Sequence, residues 1–311
     1  MNRLDFVLPR FMRLSWVSDR AQEVWGSRFR RIIETWPEIE SMAVLLGIRR
    51  CALITTASQA RISSWIKSGS NSVTALPLDE KVATADSDSH LTTESPQLVN
   101  AEVVIGQPRE VRRFADAWTS EDQDEIGRLL GYPICCIDAF RERCLEQQWY
   151  DPTWAIAVAT ASVNSLNTTI DIDASIVANV LWRSIGIRAI PHLPCRFTCE
   201  ETVSLGERIF AAAEASGFGQ EANWLKQILS WPVEWSSLHG IAELKTPILK
   251  ACTQTDAMAE KHSLHWLGSA YPEEGASGTR FPYRIPGTAQ VTDSRSFKRG
   301  LDQQTDKLRI L

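Results

Sequence analysis

The stretch LLGYPICCIDAFRERC, residues 129–144, decides how this chain is read. Ahead of it, a helix opening near Ser120, where Gln123 completes a capping-box pattern, has to stop at Gly131. Glycine at a helix end adopts the left-handed backbone without steric cost, and Pro133 has no N–H to donate. GYP therefore turns the chain sharply, and a new helix opens at Ile134 or Cys135. Cys135 and Cys136 then stand in the first turn of a helix, where unpaired N–H groups and the positive end of the helix dipole favour a thiolate over a thiol.

Working outward, a second cysteine pair has the same setting. In PHLPCRFTCEETVSLGERIFAAAEASG, residues 191–217, the apolar Val203, Ile209, Phe210 and Ala213 run along a helix that starts near Cys199, carries Glu200 and Glu201 in its first turn and ends before Gly217. Pro194 stiffens the approach to Cys195. Five of the seven cysteines thus fall in two clusters. An odd count in a chain without the apolar block and cleavage site of a secretory signal speaks for a reducing cytoplasm, and for metal or redox chemistry over a disulfide framework.

The totals narrow the classes. The 311 residues are 44% apolar with 12 Trp and 10 Phe, enough for a real core. A net charge of -5, with only RFRR and IRR as local basic groups, argues against nucleic acid. No stretch approaches the roughly 20 apolar residues of a membrane span.

Elsewhere, Ala21, Val24, Trp25, Phe29, Ile32, Ile33 and Trp36 recur at helical spacing until Pro37, which is expected to interrupt the helix before a second stretch ending at Gly47. RRCALITTAS reads as a strand, QARISSWIKSGS as a short helix, and SVTALPL and AEVVIG as further strands. A helix follows from Pro108 to about Trp118. Ile176 to Ile185 reads as an amphipathic helix ending at Gly186, IRAIP as a short strand, and WSSLHGIAELKTPILKAC as a hairpin or two strands. The expected fold is α/β, with α+β possible: helix-rich, with a small mixed sheet and a cysteine-bearing helical core. The expected division is an N-terminal α/β region, 1–100, with a polar loop at 78–98; a cysteine-motif domain, 101–290; and a peripheral tail, 291–311.

Cys135, Cys136, Cys195 and Cys199 are the candidate ligands, with His192 as the nitrogen candidate, either as ligand or as an acid-base group beside the centre. Adjacent helical side chains point roughly 100° apart, so the count is three or four sulfurs. Four give a closed zinc site of structural role; three leave a position for His192, water or substrate, which suits an iron-sulfur cluster with an open iron. Cys51, Cys144 and Cys252 read as core residues. A second polar group, His239, Glu243 and Lys245, shares one face if the segment is an extended strand. His239 or Glu243 is then a proton carrier and Lys245 an anion contact, against the alternative of a solvated face with ion pairs. Arg280 is a candidate carboxylate or phosphate contact, and His262 with His265 has helical i, i+3 spacing.

The pairing of LGYPICC with PHLPCRFTCE resembles a microbial family of unknown function that joins an LGYPxCC segment to an HxPCxxxC segment, over approximately residues 102 to 215. The resemblance groups Cys135, Cys136, His192, Cys195 and Cys199 as one site and implies no reaction. The leading expectation is a cytoplasmic metalloenzyme with an iron-sulfur cluster, 4Fe-4S, acting on a small anionic or zwitterionic metabolite. Its rivals are a structural zinc protein with a Trp-rich partner surface and a thiol redox protein.

Overall fold

A computed structural model describes residues 2–56, 73–78, 101–161 and 168–275. Helix α1 (Asp19–Leu45) opens where the Ser18 hydroxyl oxygen accepts from the Ala21 N–H. It runs through Pro37 in one piece, which corrects the two-helix expectation. The reason is packing: Trp25, Phe29, Ile32 and Trp36 before the proline, and Ile39 and Ala43 after it, bury along one face, so the core holds the helix across the missing hydrogen bond.

Among the described residues, eleven strands form three sheets. The antiparallel order β3-β5-β4 joins Cys51–Thr56, Ala101–Gly106 and Thr74–Pro77. The six-stranded sheet runs β2 (Met12–Trp16), β9 (Leu249–Gln254), β8 (Ile241–Lys245), β7 (Val233–Leu238), β11 (His262–Trp266) and β6 (Thr169–Ile172), antiparallel except for the parallel pair β11 and β6. β1 (Arg3–Val7) pairs with β10 (Asp256–Met258). The fold is mixed α/β, as the patterning indicates, and the first two strands are completed by strands from the far end of the described chain. The expected helix over 59–70 and the loop at 79–98 lie outside the described residues.

The remaining helices are α2 (Pro108–Thr119), α3 (Gln123–Leu129), α4 (Ile134–Phe140), α5 (Thr153–Ala161), α6 (Glu200–Ala215) and α7 (Gly219–Leu229). α3 is capped by Asp122, whose carboxylate accepts from the Glu125 N–H at 3.0 Å, not by a box from Ser120. The expected helix over 176–185 is instead two 3₁₀ turns, Ile176–Ala178 and Arg183–Ile185, and IRAIP is not a strand. Buried Asn179 lies between the turns; its amide donates to the Leu229 carbonyl and accepts from the Leu181 N–H, replacing backbone hydrogen bonds that a helix would need.

Tryptophans 25, 36, 154, 182, 231, 235 and 266 are buried. Trp25 meets Trp231 edge-on at 4.6 Å, and Trp36 meets Phe210 at 6.0 Å, so these rings fasten α1 to the elements beneath it. Trp16, Trp118, Trp149 and Trp224 are half-buried.

α6 approaches the 3₁₀ segment closely at Gly206, where an added Cβ would stand 2.1 Å from Val177 Cγ1 and 2.9 Å from Ile190 Cγ2. Gly206→Ala gains about 1 kcal/mol of helix propensity, but the overpacking outweighs it, with a net loss of about 2 kcal/mol expected. Urea denaturation checks this; an unchanged or higher midpoint contradicts the close approach.

Candidate metal centre

The first sulfur pair is placed by a helix end. Gly131, at φ 72°, lets the Tyr132 N–H reach the Gly127 carbonyl at 3.0 Å while its own N–H reaches that of Arg128 at 3.1 Å. α4 then starts at Ile134, with Cys136 and Ile137 donating to the Pro133 carbonyl. The second pair comes from an irregular segment ending at Cys199, the residue that opens α6. That segment is held by its own buried residues: the Phe197 N–H donates to Thr160 Oγ1 at 2.8 Å, its ring lies edge-on to Trp266 at 5.5 Å, and the Tyr132 hydroxyl donates to the Pro191 carbonyl.

The four sulfurs of Cys135, Cys136, Cys195 and Cys199 all lie within 4.8 Å of one another. The Sγ separations are 4.0 Å for Cys135 and Cys136, 3.7 Å for Cys135 and Cys199, and 3.8 Å for Cys136 and Cys199. Both adjacent cysteines take part. In the first turn of a helix, side chains lean back past the N-terminus, so a partner beyond the helix end can meet both despite their divergence around the axis.

Without a cation the set resists ionising. Burial, with the neighbouring Cys199 and Cys195 thiols, pushes Cys135 up to about 12; burial likewise raises Cys136 and Cys195. Cys199 differs: burial pushes it up, but the Thr202 hydroxyl and amide, then the Cys195 and Cys135 thiols, more than offset that and leave it below the ordinary thiol value. Cys136 faces the Thr202 hydroxyl at 3.3 Å and accepts from the Cys195 N–H at 3.3 Å. The set could hold a metal ion or cluster, which would displace the thiol protons: it offers four soft donors with N–H and O–H groups already turned toward two of them.

His192 stands outside the four-sulfur group. Its Nε2 lies 3.0 Å from Thr202 Oγ1, so Thr202 links the imidazole to Cys136. Thr202 was not singled out by the sequence; its position three residues after Cys199, facing the residue that opens the helix, was the available signal. The His192 ring is buried, packs against Tyr132 at 5.0 Å, and among the described residues has no hydrogen-bond partner at Nδ1. Burial, then the charges of Arg49 and Arg188, hold its pKa down at about 3. Both arginines reach buried Glu40, at 3.7 and 3.5 Å.

The other candidates are elsewhere in the fold. Glu243 and Lys245 share a face of β8, where Lys245 bonds Glu234 at 3.0 Å and lies 3.7 Å from Glu243. His239 is not on that strand: with Gly240 it makes the tight β7-β8 turn, both at positive φ. His262 and His265 lie on a strand, not a helix; three-residue spacing sends them to opposite faces, His262 onto Trp154 and His265 to Asp171. Arg280 lies outside the described residues. Cys51 is fully buried, as expected of a core residue, and Cys144 and Cys252 are half-buried.

The depressed His192 pKa sets an acid limit. Folding disfavours the imidazolium, so its neutral form costs nothing above pH 6.5 and stability is lost as pH falls from there toward about 3. In metal-free protein the loss from this residue is about 1.4 kcal/mol per pH unit across that window. Urea midpoints measured against pH should show a shallower acid slope in His192→Gln; equal slopes contradict it.

No family model matches this chain, and no curated protein or solved structure is detectably similar to it.

Proposed function

We propose that this is a metal-binding protein in which the thiolates of Cys135, Cys136, Cys195 and Cys199 hold one tetrahedral ion of the zinc type. The carrying observation is that the four sulfurs lie within 4.8 Å of one another, with the three separations among Cys135, Cys136 and Cys199 at 3.7–4.0 Å. Four thiolates at about 2.3 Å from one ion stand about 3.8 Å apart at the corners of a tetrahedron. In a four-iron cubane each thiolate has its own iron, and the iron–iron edge spreads the sulfurs well beyond the spacing set by a shared ion. The spacing therefore favours the zinc alternative over the 4Fe-4S cluster expected from the cysteine pattern.

A fourth sulfur also closes the position that His192, water or substrate would have used. The ion's contribution is to hold the start of α4, the 195–199 segment and the start of α6 together as a fixed unit. Thr202 and the Cys195 N–H support the Cys136 thiolate from behind. A reducing compartment suits four free thiols of this kind.

Protein purified without oxygen is expected to be colourless, with one zinc per chain by elemental analysis. Removing the metal with a chelator should lower the melting temperature, and replacing both Cys136 and Cys199 by Ser should abolish binding. A brown protein with iron and inorganic sulfide would overturn the single-ion reading in favour of the cluster. Stoichiometric zinc in the double variant would overturn the ligand assignment itself.

A further inference from the structure

We infer that Cys135 is a nucleophilic sulfur that takes an alkyl group from a neutral or cationic carbon electrophile; the inference rests on the single-ion reading above. The four cysteines are not equivalent. Cys136 and Cys199 are buried and Cys195 is half-buried, whereas Cys135 is exposed. Hydrogen bonds divide them in the same direction. Cys136 has the Thr202 hydroxyl and the Cys195 N–H, and Cys199 has the Thr202 groups. Among the described residues, the hydrogen-bond partners found for the Cys135 sulfur are other sulfurs, Cys199 at 3.7 Å and Cys136 at 4.0 Å.

A donor pointed at a thiolate draws charge from it and stabilises it against reaction. Metal coordination keeps all four sulfurs deprotonated at neutral pH, which is a recognised way to activate a nucleophile. The sulfur with solvent access and no N–H or O–H donor is the one that retains both charge and an approach path. Among the described residues Cys195 has no such donor at its sulfur but has less access, which makes it the internal comparison.

The surroundings select by charge. A shallow groove of about 410 Å³ lies beside the two helix starts that carry cysteines, lined by Pro133, Glu200, Glu201, Ser204 and Arg208 but by none of the four cysteines themselves. Four thiolates around a divalent ion leave a net charge of about -2, and in the neighbouring groove Glu200 and Glu201 outweigh Arg208. Alkyl halides and sulfonium-type donors fit this field, and anionic electrophiles do not.

The step balances without a redox partner. A lone pair on Cys135 Sγ forms a bond to the sp³ carbon, the bond from carbon to its leaving group breaks, and that group departs with the electron pair. No proton moves, since the sulfur begins as a thiolate and ends as a thioether. Each chain accepts one alkyl group.

The test uses full-length protein whose zinc content is measured first, treated with limiting methyl iodide at pH 7, with the methylated cysteine located by peptide mass spectrometry. Methyl is expected at Cys135 at a rate on the order of tenfold above Cys144 and Cys252, which are not ligands. Stripping the zinc should erase that advantage. The ratio of iodoacetamide to iodoacetate reactivity should be higher at Cys135 than at Cys252, whose neighbours include Arg13, Lys245 and Lys250. Methyl on Cys195, or on Cys144 and Cys252 as fast as on Cys135, in zinc-loaded protein overturns the inference while leaving the metal site standing. Protein that binds no zinc removes the metal site itself, and the inference with it.

Discussion

Four sulfur atoms within 4.8 Å of one another, two of them on buried residues, form an arrangement that neutral thiols tolerate and thiolates do not unless a cation stands among them. That constraint ties the rest of the molecule together. Three of the four thiols are held above the ordinary thiol value, chiefly by burial, so a metal bound here would release protons from them. The two segments that supply the sulfurs are separated by about sixty residues, so their meeting has to be enforced by packing and not by local geometry.

The enforcement can be traced residue by residue. Gly131 ends α3 and aims Tyr132 toward the Pro191 carbonyl, while Thr160 and Trp266 fix Phe197 on the far side of the segment. Gly206 lets α6 settle against Val177 and Ile190, which sets where Cys199 and Thr202 stand. Beneath these lie the buried tryptophans of α1 and the six-stranded sheet, so the site is mounted on the main core. Behind His192, the Arg49, Arg188 and Glu40 group keeps a positive field that disfavours an imidazolium. Thr202 thus receives a neutral ring on one side and a sulfur on the other.

Much of this was legible in the sequence wherever one local signal decided the outcome. Gly131 before Pro133 gave the turn, and the two cysteine pairs at helix starts gave the site. Strands rich in β-branched residues, such as Val103 to Ile105, were readable from propensity. What escaped depended on partners far along the chain. Pro37 reads as a breaker, yet burial on both of its sides carries the helix through. The apolar spacing from Ile176 to Ile185 reads as helical, but Asn179 finds its partner at Leu229. Neither the full count of sulfurs nor the place of His192 behind Thr202 follows from spacing, because both depend on where the irregular segment 187–199 meets the start of α4. The sulfur spacing, on which the proposed single ion rests, was equally hidden.

X-ray absorption at the zinc edge of metal-loaded protein measures that spacing from the ion's side. Four sulfur neighbours at about 2.3 Å, with no second metal beyond them, are predicted. A shell in which nitrogen or oxygen replaces two or more of the sulfurs, or one that contains a neighbouring metal, contradicts the convergence of these four cysteines on one ion.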